Sequence, residues 1–256
     1  MMTVIPVDAA LRLEAVEAPP PPSAAVQAEI DRIWEAELRR RPEIFDGTIL
    51  TVLAHDESKV TAGPIPYRRL LAQVREPALA PVLGLLPLAV TGIVLCRDGL
   101  VLGLRGGRLT QDPGRWEYAP SGSVDASALE PDGRIDAAGL VQRELHEELG
   151  VPPSLVRQCR LLALAWDQSY PVLDLIYGIS VDIGRDALLA GLPTGAEAEH
   201  DRIAVVAPAR LADFLAAEGE RAAGPTLALV PLALAHARTA HTRTGDSADW
   251  EIDSRP

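Results

Sequence analysis

The sequence predicts an α/β protein: an α/β/α sandwich preceded by a small α+β region. Three observations carry this. Strand-like apolar runs lie both before and after one central helix of regular helical periodicity. Further helical segments close the chain, and the pattern changes character near residue 86. With 256 residues, 48% of them hydrophobic, the chain can hold one large domain or a smaller domain with an extension, around a proper core.

Residues 1–23 end in Pro19-Pro20-Pro21-Pro22, a polyproline spacer after a short apolar strand or arm. Residues 24–41 set Val26, Ile30, Ile33, Trp34 and Leu38 on one helical stripe, and Pro42 stops it. Thr48 to Ala54 and Lys59 to Ile65 read as strands, and Tyr67 to Val74 as a short helix. Together these form an accessory region over 1–85. It has either its own core or elements laid over the main domain. The apolar stretch from Ala78 to Leu95 is interrupted by Pro81, Gly84 and Pro87, so it reads as a linker entering a buried strand and not as a membrane span.

The main domain is expected over 86–238. Ala89 to Leu95 and Leu100 to Leu104 are strands, and Arg97-Asp98-Gly99 turns them into a hairpin. Trp116 to Ala119 is a third strand, followed by a helix from about Asp136 to Leu149 and the break at Pro152-Pro153. Arg160 to Trp166 and Val172 to Val181 are strands joined at Tyr170-Pro171, and Ile203 to Val206 is another. Pro208 to Ala217 reads as a helix with Leu211 and Leu215 inward, and Thr226 to Ala237 as an apolar helix on the sheet. Residues 239–256 read as a polar, loose tail in which Trp250 is the one docking candidate.

A net charge of −12 argues against a nucleic-acid backbone as partner. It is compatible with a phosphate substrate bridged by Mg²⁺. Cys96 and Cys159 make no disulfide framework and read as buried free thiols of a reducing cytosol. No positively charged start followed by an apolar stretch opens the chain, so a cytoplasmic protein with no membrane partner is expected.

The chemistry concentrates in residues 143–151, Arg-Glu-Leu-His-Glu-Glu-Leu-Gly-Val. Glu144, Glu147 and Glu148 stand at i, i+3 and i+4, on one face of a helix. Three such carboxylates repel unless a positive charge sits among them, and a hard divalent cation such as Mg²⁺ is the simplest compensation. Acidic helix faces are usually just solvated. Here the acids lie beside an apolar stripe of Ala138, Val141, Leu145 and Leu149, at the rim of a buried seam where clefts form. Gly150 supplies the left-handed residue that ends the helix.

Positions 143–151 match every specified place in the second half of the Nudix box, Arg-Glu-apolar-any-Glu-Glu-any-Gly-apolar. The run from Trp116 to Asp125 is similar to the strand and turn that precede that box. The chain thus resembles the Nudix hydrolase superfamily. The first half of the box departs from the pattern. Ile135 stands where the family has Glu and Leu129 where it has Gly. The counterpart of that Gly is Gly122, so the loop into the helix is longer by seven residues, with 126–133 as the insertion. Glu130 and Asp136 are the nearest acids that could replace the missing one.

The resemblance implies a mixed sheet within the sandwich. It implies Glu144, Glu147 and Glu148 as ligands of Mg²⁺ (or Mn²⁺), joined by a backbone carbonyl of Ser121 or Gly122. Glu147 and Glu148 are then catalytic through the metal. Arg143 would orient a ligand Glu, and its spacing allows an i, i+4 pair with Glu147. A general base is expected outside the cluster, Glu199 first and Glu197 second, while the neighbouring His200 could instead be a base or a substrate contact, although a lone loop histidine is more often neither. Arg105 stands where the family places an Arg near substrate phosphate, a task that suits a guanidinium fork. Trp116 and Tyr118 read first as packing residues of their strand, with Trp116 also carried as a candidate aromatic contact for substrate. Asp174, near a strand end, is a candidate contact to base or sugar.

The activity implied is Mg²⁺-dependent hydrolysis of the pyrophosphate bond in a nucleoside diphosphate linked to another moiety. That moiety is a sugar, as in nucleotide sugars, or the conjugate is ADP-ribose-like or a coenzyme. The accessory region stands where nucleotide-sugar hydrolases of the family carry elements that dimerise and cover the site, so a homodimer is one expectation. The segment around Ile33-Trp34-Glu35 and Pro42 to Gly47 resembles the UDP-sugar branch. Two other classes remain: a non-catalytic nucleotide sensor on the same fold, and an isopentenyl-diphosphate isomerase type. The latter wants a reactive Cys beside an acid, a role for which Cys96 in an apolar strand is poorly placed.

Overall fold

The computed structural model describes residues 2–7, 11–56, 58–107, 112–167, 171–194, 199–222 and 224–244. The larger of two sheets contains eight strands. Its main path runs β1 (Met2–Pro6), β9 (Val156–Asp167), β10 (Leu173–Val181), β5 (Leu88–Cys96), β6 (Gly99–Arg105), β11 (His200–Val206). Strand β7 (Trp116–Tyr118) adds to β6, and β8 (Ser121–Ser123) adds to β5. Only β5 and β10 pair in parallel, so the sheet is mixed, as expected.

Strand β5 is buried along nearly its whole length because helices cover both faces of the sheet, which is why it reads as a continuous apolar run. It also forks. Ala89 to Thr91 pair with β8, whereas Leu95 and Cys96 pair with β6. The candidate site residues Ser121 and Gly122 lie at that fork.

Helix α4 (Ala137–Leu149) covers one face, burying Val90, Val94, Val101, Leu145, Leu149 and Leu175 together. Helices α6 (Leu211–Glu218) and α7 (Gly224–Thr244) cover the other, over Ile93, Leu100, Leu102, Trp116, Tyr118 and Ile176. Alternate residues of each strand serve opposite cores.

The smaller sheet has the order β2 (Arg12–Ala15), β4 (Lys59–Pro66), β3 (Thr48–His55). Helices α1 (Ala24–Arg40), α2 (Tyr67–Arg75) and α3 (Ala80–Leu83) accompany it and add two small apolar clusters, around Ile30 and around Ile65. Leu50, Val52, Val60 and Ala62 instead join the α4 core. The two sheets are also strapped together through the backbone. Leu50 N–H donates to Val124 O (2.8 Å), Ala15 N–H to Gly133 O (2.8 Å), and Ile135 N–H to Leu13 O (3.0 Å). The inserted loop 126–133 is therefore held at both ends by the small sheet.

Several expectations need correction. The first strand, β1, pairs antiparallel with β9 in the main sheet, although it lies before the expected boundary at residue 85. The linker before the first main strand contains helical turns over 77–83. A short helix α5 (Arg185–Ala190) was not foreseen. Helix α7 runs to Thr244, past the expected start of the tail at 239. Trp250 and Tyr170 lie outside the described residues. Cys96 is buried and Cys159 half-buried, both free. Among the described residues no helix is long and apolar enough to cross a membrane.

Candidate active site

Helix α4 is fixed at both ends. Asp136 Oδ1 accepts from Gly139 N–H (2.8 Å), which caps the first turn. Asp136 thus serves the helix start, and Glu130 is exposed on the inserted loop. Gly150 has φ 66°, and a Cβ there would strike the carbonyl of Gly191, so both backbone and neighbour require glycine. The buried face is Ala137, Leu140, Val141, Leu145, Glu148 and Leu149. Ala138 of the expected stripe is only half-buried.

The three acids of α4 differ in setting. Glu147 is exposed, Glu144 half-buried and Glu148 only 5% exposed. Glu148 Oε1 accepts from Ser121 N–H (3.0 Å), while Oε2 is buried without a hydrogen-bond partner. The Glu144 carboxylate lies over Gly122, where a Cβ would approach Oε1 to 2.7 Å. Burial, then the charges of Glu147, Glu199 and Asp125, push Glu144 up to about 7. Burial, then Glu199, hold Glu148 well above the ordinary carboxylate range, opposed by the Ser121 amide. Glu199, on the exposed turn into β11, is thus within electrostatic reach of both helix acids. Glu197 lies outside the described residues.

Hard oxygen donors, a glycine cradle and an orphaned buried carboxylate oxygen suit a divalent cation. Among the described residues, no three of the His, Cys, Asp and Glu side chains already converge on one point. Ser121 engages Glu148 through its amide, and Gly122 next to it pairs with Val90 of β5.

Sequence reasoning missed Glu117. It faces away from the buried Trp116 and Tyr118, as strand alternation requires. Both its oxygens accept from Arg105 Nη1 (2.6 and 2.7 Å), and Oε1 also lies 3.1 Å from His200 Nε2. Arg105 Nη1 also stands 3.5 Å from Ser121 Oγ. The guanidinium expected to meet substrate phosphate is thus tied to a carboxylate, at the edge of the acidic cluster. The His200 side chain is 3% exposed and is no ordinary loop histidine.

Trp116 is corrected as a substrate contact. It is fully buried on the opposite face of the sheet, edge-on to Phe214 at 5.1 Å, with Thr226 Oγ1 bonded to its carbonyl. No ring face is open to a ligand. Arg143 does not make the expected pair with Glu147. It donates to Ser127 Oγ (2.9 Å) in the inserted loop, an alternative that the insertion itself supplies. Asp174 Oδ2 accepts from Thr91 Oγ1 (2.7 Å), and Oδ1 is buried without a partner. Burial pushes Asp174 up to about 7, with Glu117 adding to the effect, so it stands within electrostatic reach of the site. Burial pushes the Cys96 thiol up, so it offers no ready thiolate.

No family profile and no curated protein matches the chain. Solved structures resemble it in part. The Nudix domain of NrtR from Shewanella oneidensis, solved with ADP-ribose, is 18% identical over 61% of this chain and 88% of its own, with a TM-score of 0.42. A Nudix hydrolase from Alicyclobacillus acidocaldarius is 20% identical over 59% of this chain and 91% of its own, with a TM-score of 0.41. A protein of Deinococcus radiodurans is 20% identical over 57% and 80%, with a TM-score of 0.41.

Proposed function

We propose that the chain is a Mg²⁺- or Mn²⁺-dependent hydrolase of the pyrophosphate bond in a nucleoside diphosphate linked to another moiety. A nucleotide sugar, an ADP-ribose-like compound and a coenzyme all fit that description. The observation that carries this reading is Glu148. Its carboxylate is buried on α4, held by one amide, left with an unpartnered oxygen, and flanked by the acids Glu144, Glu199 and Glu117. Buried like charges of this kind stay protonated or take up a cation.

Glu144, Glu147 and Glu148 would hold the cation, with the backbone carbonyls of Ser121 and Gly122 nearby. The bound ion supplies charge neutralisation on the phosphate oxygens and a more acidic water. Glu199 receives the proton as water adds to phosphorus. The P–O–P bond breaks, and two phosphorylated fragments leave. Arg105, held by Glu117, flanks the acidic cluster, and Asp174 is the candidate contact to base or sugar. Two free cysteines suit a cytoplasmic setting, and the accessory region is the candidate surface for a homodimer.

One observation favours the nucleotide sensor: the described side chains do not converge on a metal point as they stand. Phosphate release after phosphatase coupling, across a panel of nucleotide conjugates with and without Mg²⁺, separates the two. Turnover only with Mg²⁺ supports the hydrolase. Tight nucleotide binding with no turnover on any member favours the sensor.

A further inference from the structure

We propose that His200 is a positioning residue for Glu148, the last link in a relay Arg105–Glu117–His200–Glu148, an inference that rests on the metal-site reading above. His200 stands between two carboxylates. Its Nε2 lies 3.1 Å from Glu117 Oε1, and its Nδ1 lies 3.6 Å from Glu148 Oε2. These last two atoms are both buried, and neither has a hydrogen-bond partner. Orphaned buried polar atoms are uncommon in folded proteins. Two that face each other within an ångström of bonding distance mark a contact built to close.

The seat of the imidazole is specified by its surroundings. Gly103 of β6 lies beneath the ring, and a Cβ there would collide with His200 Cδ2. The register between β11 and β6 shifts between His200 and Arg202, so the bulge at Asp201 aims the histidine independently of the strand that follows. Arg105 in turn anchors Glu117 through both oxygens. The Ser121 amide holds Glu148 Oε1, and His200 faces the remaining oxygen, Oε2, at 3.6 Å, so closing that contact would fix the carboxylate plane from a second side. Partners that orient a metal-binding carboxylate govern its affinity for the ion.

The test uses two variants that each keep one nitrogen. In His200→Asn the amide nitrogen reaches the place of Nδ1, and in His200→Gln that of Nε2. Mn²⁺ binding is measured by titration calorimetry on the full chain, with folding checked by circular dichroism. His200→Gln is expected to weaken Mn²⁺ about 10- to 100-fold, and His200→Asn to stay within a few-fold of wild type. A histidine that only fills space would make the two variants alike, and equal loss or equal retention overturns the relay while leaving the metal site standing. If the wild type binds no Mn²⁺, the metal-site reading fails, and the ¹⁵N resonances of the His200 ring decide the relay. Resonances that shift in both Glu148→Gln and Glu117→Gln support it. Resonances unmoved in both overturn it.

Discussion

Glu37 on α1 and Glu148 on α4 are almost equally sealed from water, 6% and 5% exposed, yet their surroundings are opposite. Glu37 Oε1 meets Arg40 at 2.5 Å, Arg41 at 2.8 Å and Arg75 at 3.0 Å. Burial raises its pKa, but the bonds from Arg40 and Arg75 and the charge of Arg41 outweigh that, and the net shift is downward. Glu148 has one amide and a ring of acids, and its shift is strongly upward. Burial alone therefore says nothing about role; the sign of the neighbouring charge does. Glu37 closes an ion cluster that ties α1 to α2, whereas Glu148 is left electrostatically open.

The contrast can be broken in four ways. Glu148→Gln removes one ligand charge at constant shape. Mg²⁺-dependent phosphate release is expected to fall by more than about 100-fold, since even supporting partners of a metal ligand cost that much. Its melting temperature should hold or rise, and a large drop would mean that Glu148 is a structural anchor like Glu37. Glu37→Gln should do the reverse. Three partly exposed guanidiniums lose their counter-charge, which costs about 1 kcal/mol in denaturant unfolding, while kcat/KM per folded molecule stays within about two-fold.

Next, adding Mg²⁺ should stabilise the wild type by about 2.7 kcal/mol at a concentration one hundred times its dissociation constant. Thermal melts with and without EDTA would show it, and Glu148→Gln should show none of it. The last test concerns Asp174, raised to about 7 from an ordinary 3.8. Between those values the folded protein binds more protons than the unfolded chain, so this group lowers stability as pH rises through that window. Asp174→Asn should gain up to about 4 kcal/mol over wild type at pH 8 and nothing near pH 4, in EDTA. A gain independent of pH would show that Asp174 does not titrate there.

Much of this was legible in the chain. The spacing of Glu144, Glu147 and Glu148, the stop at Gly150 and most strand cores follow from periodicities of a few residues. Glu117 and His200 were not legible, because they lie 83 residues apart in the chain and local pattern carries no pairing information. Trp116 misled for a related reason. Alternation separates it from Glu117 but cannot say which face is core and which is cleft when helices cover both. Arg143 followed helix spacing in expectation and found a nearer hydroxyl in an inserted loop whose path no periodicity describes. The placement of β1 at the edge of the main sheet is likewise a long-range pairing.

That edge strand has a practical consequence. A chain trimmed to begin at residue 86 would leave β9 with an unpaired ladder of amides and carbonyls, a template for self-association. It would also strip Leu50 and Val60 off the hydrophobic side of α4 and release the loop that leads into that helix. The shortened protein is expected to aggregate.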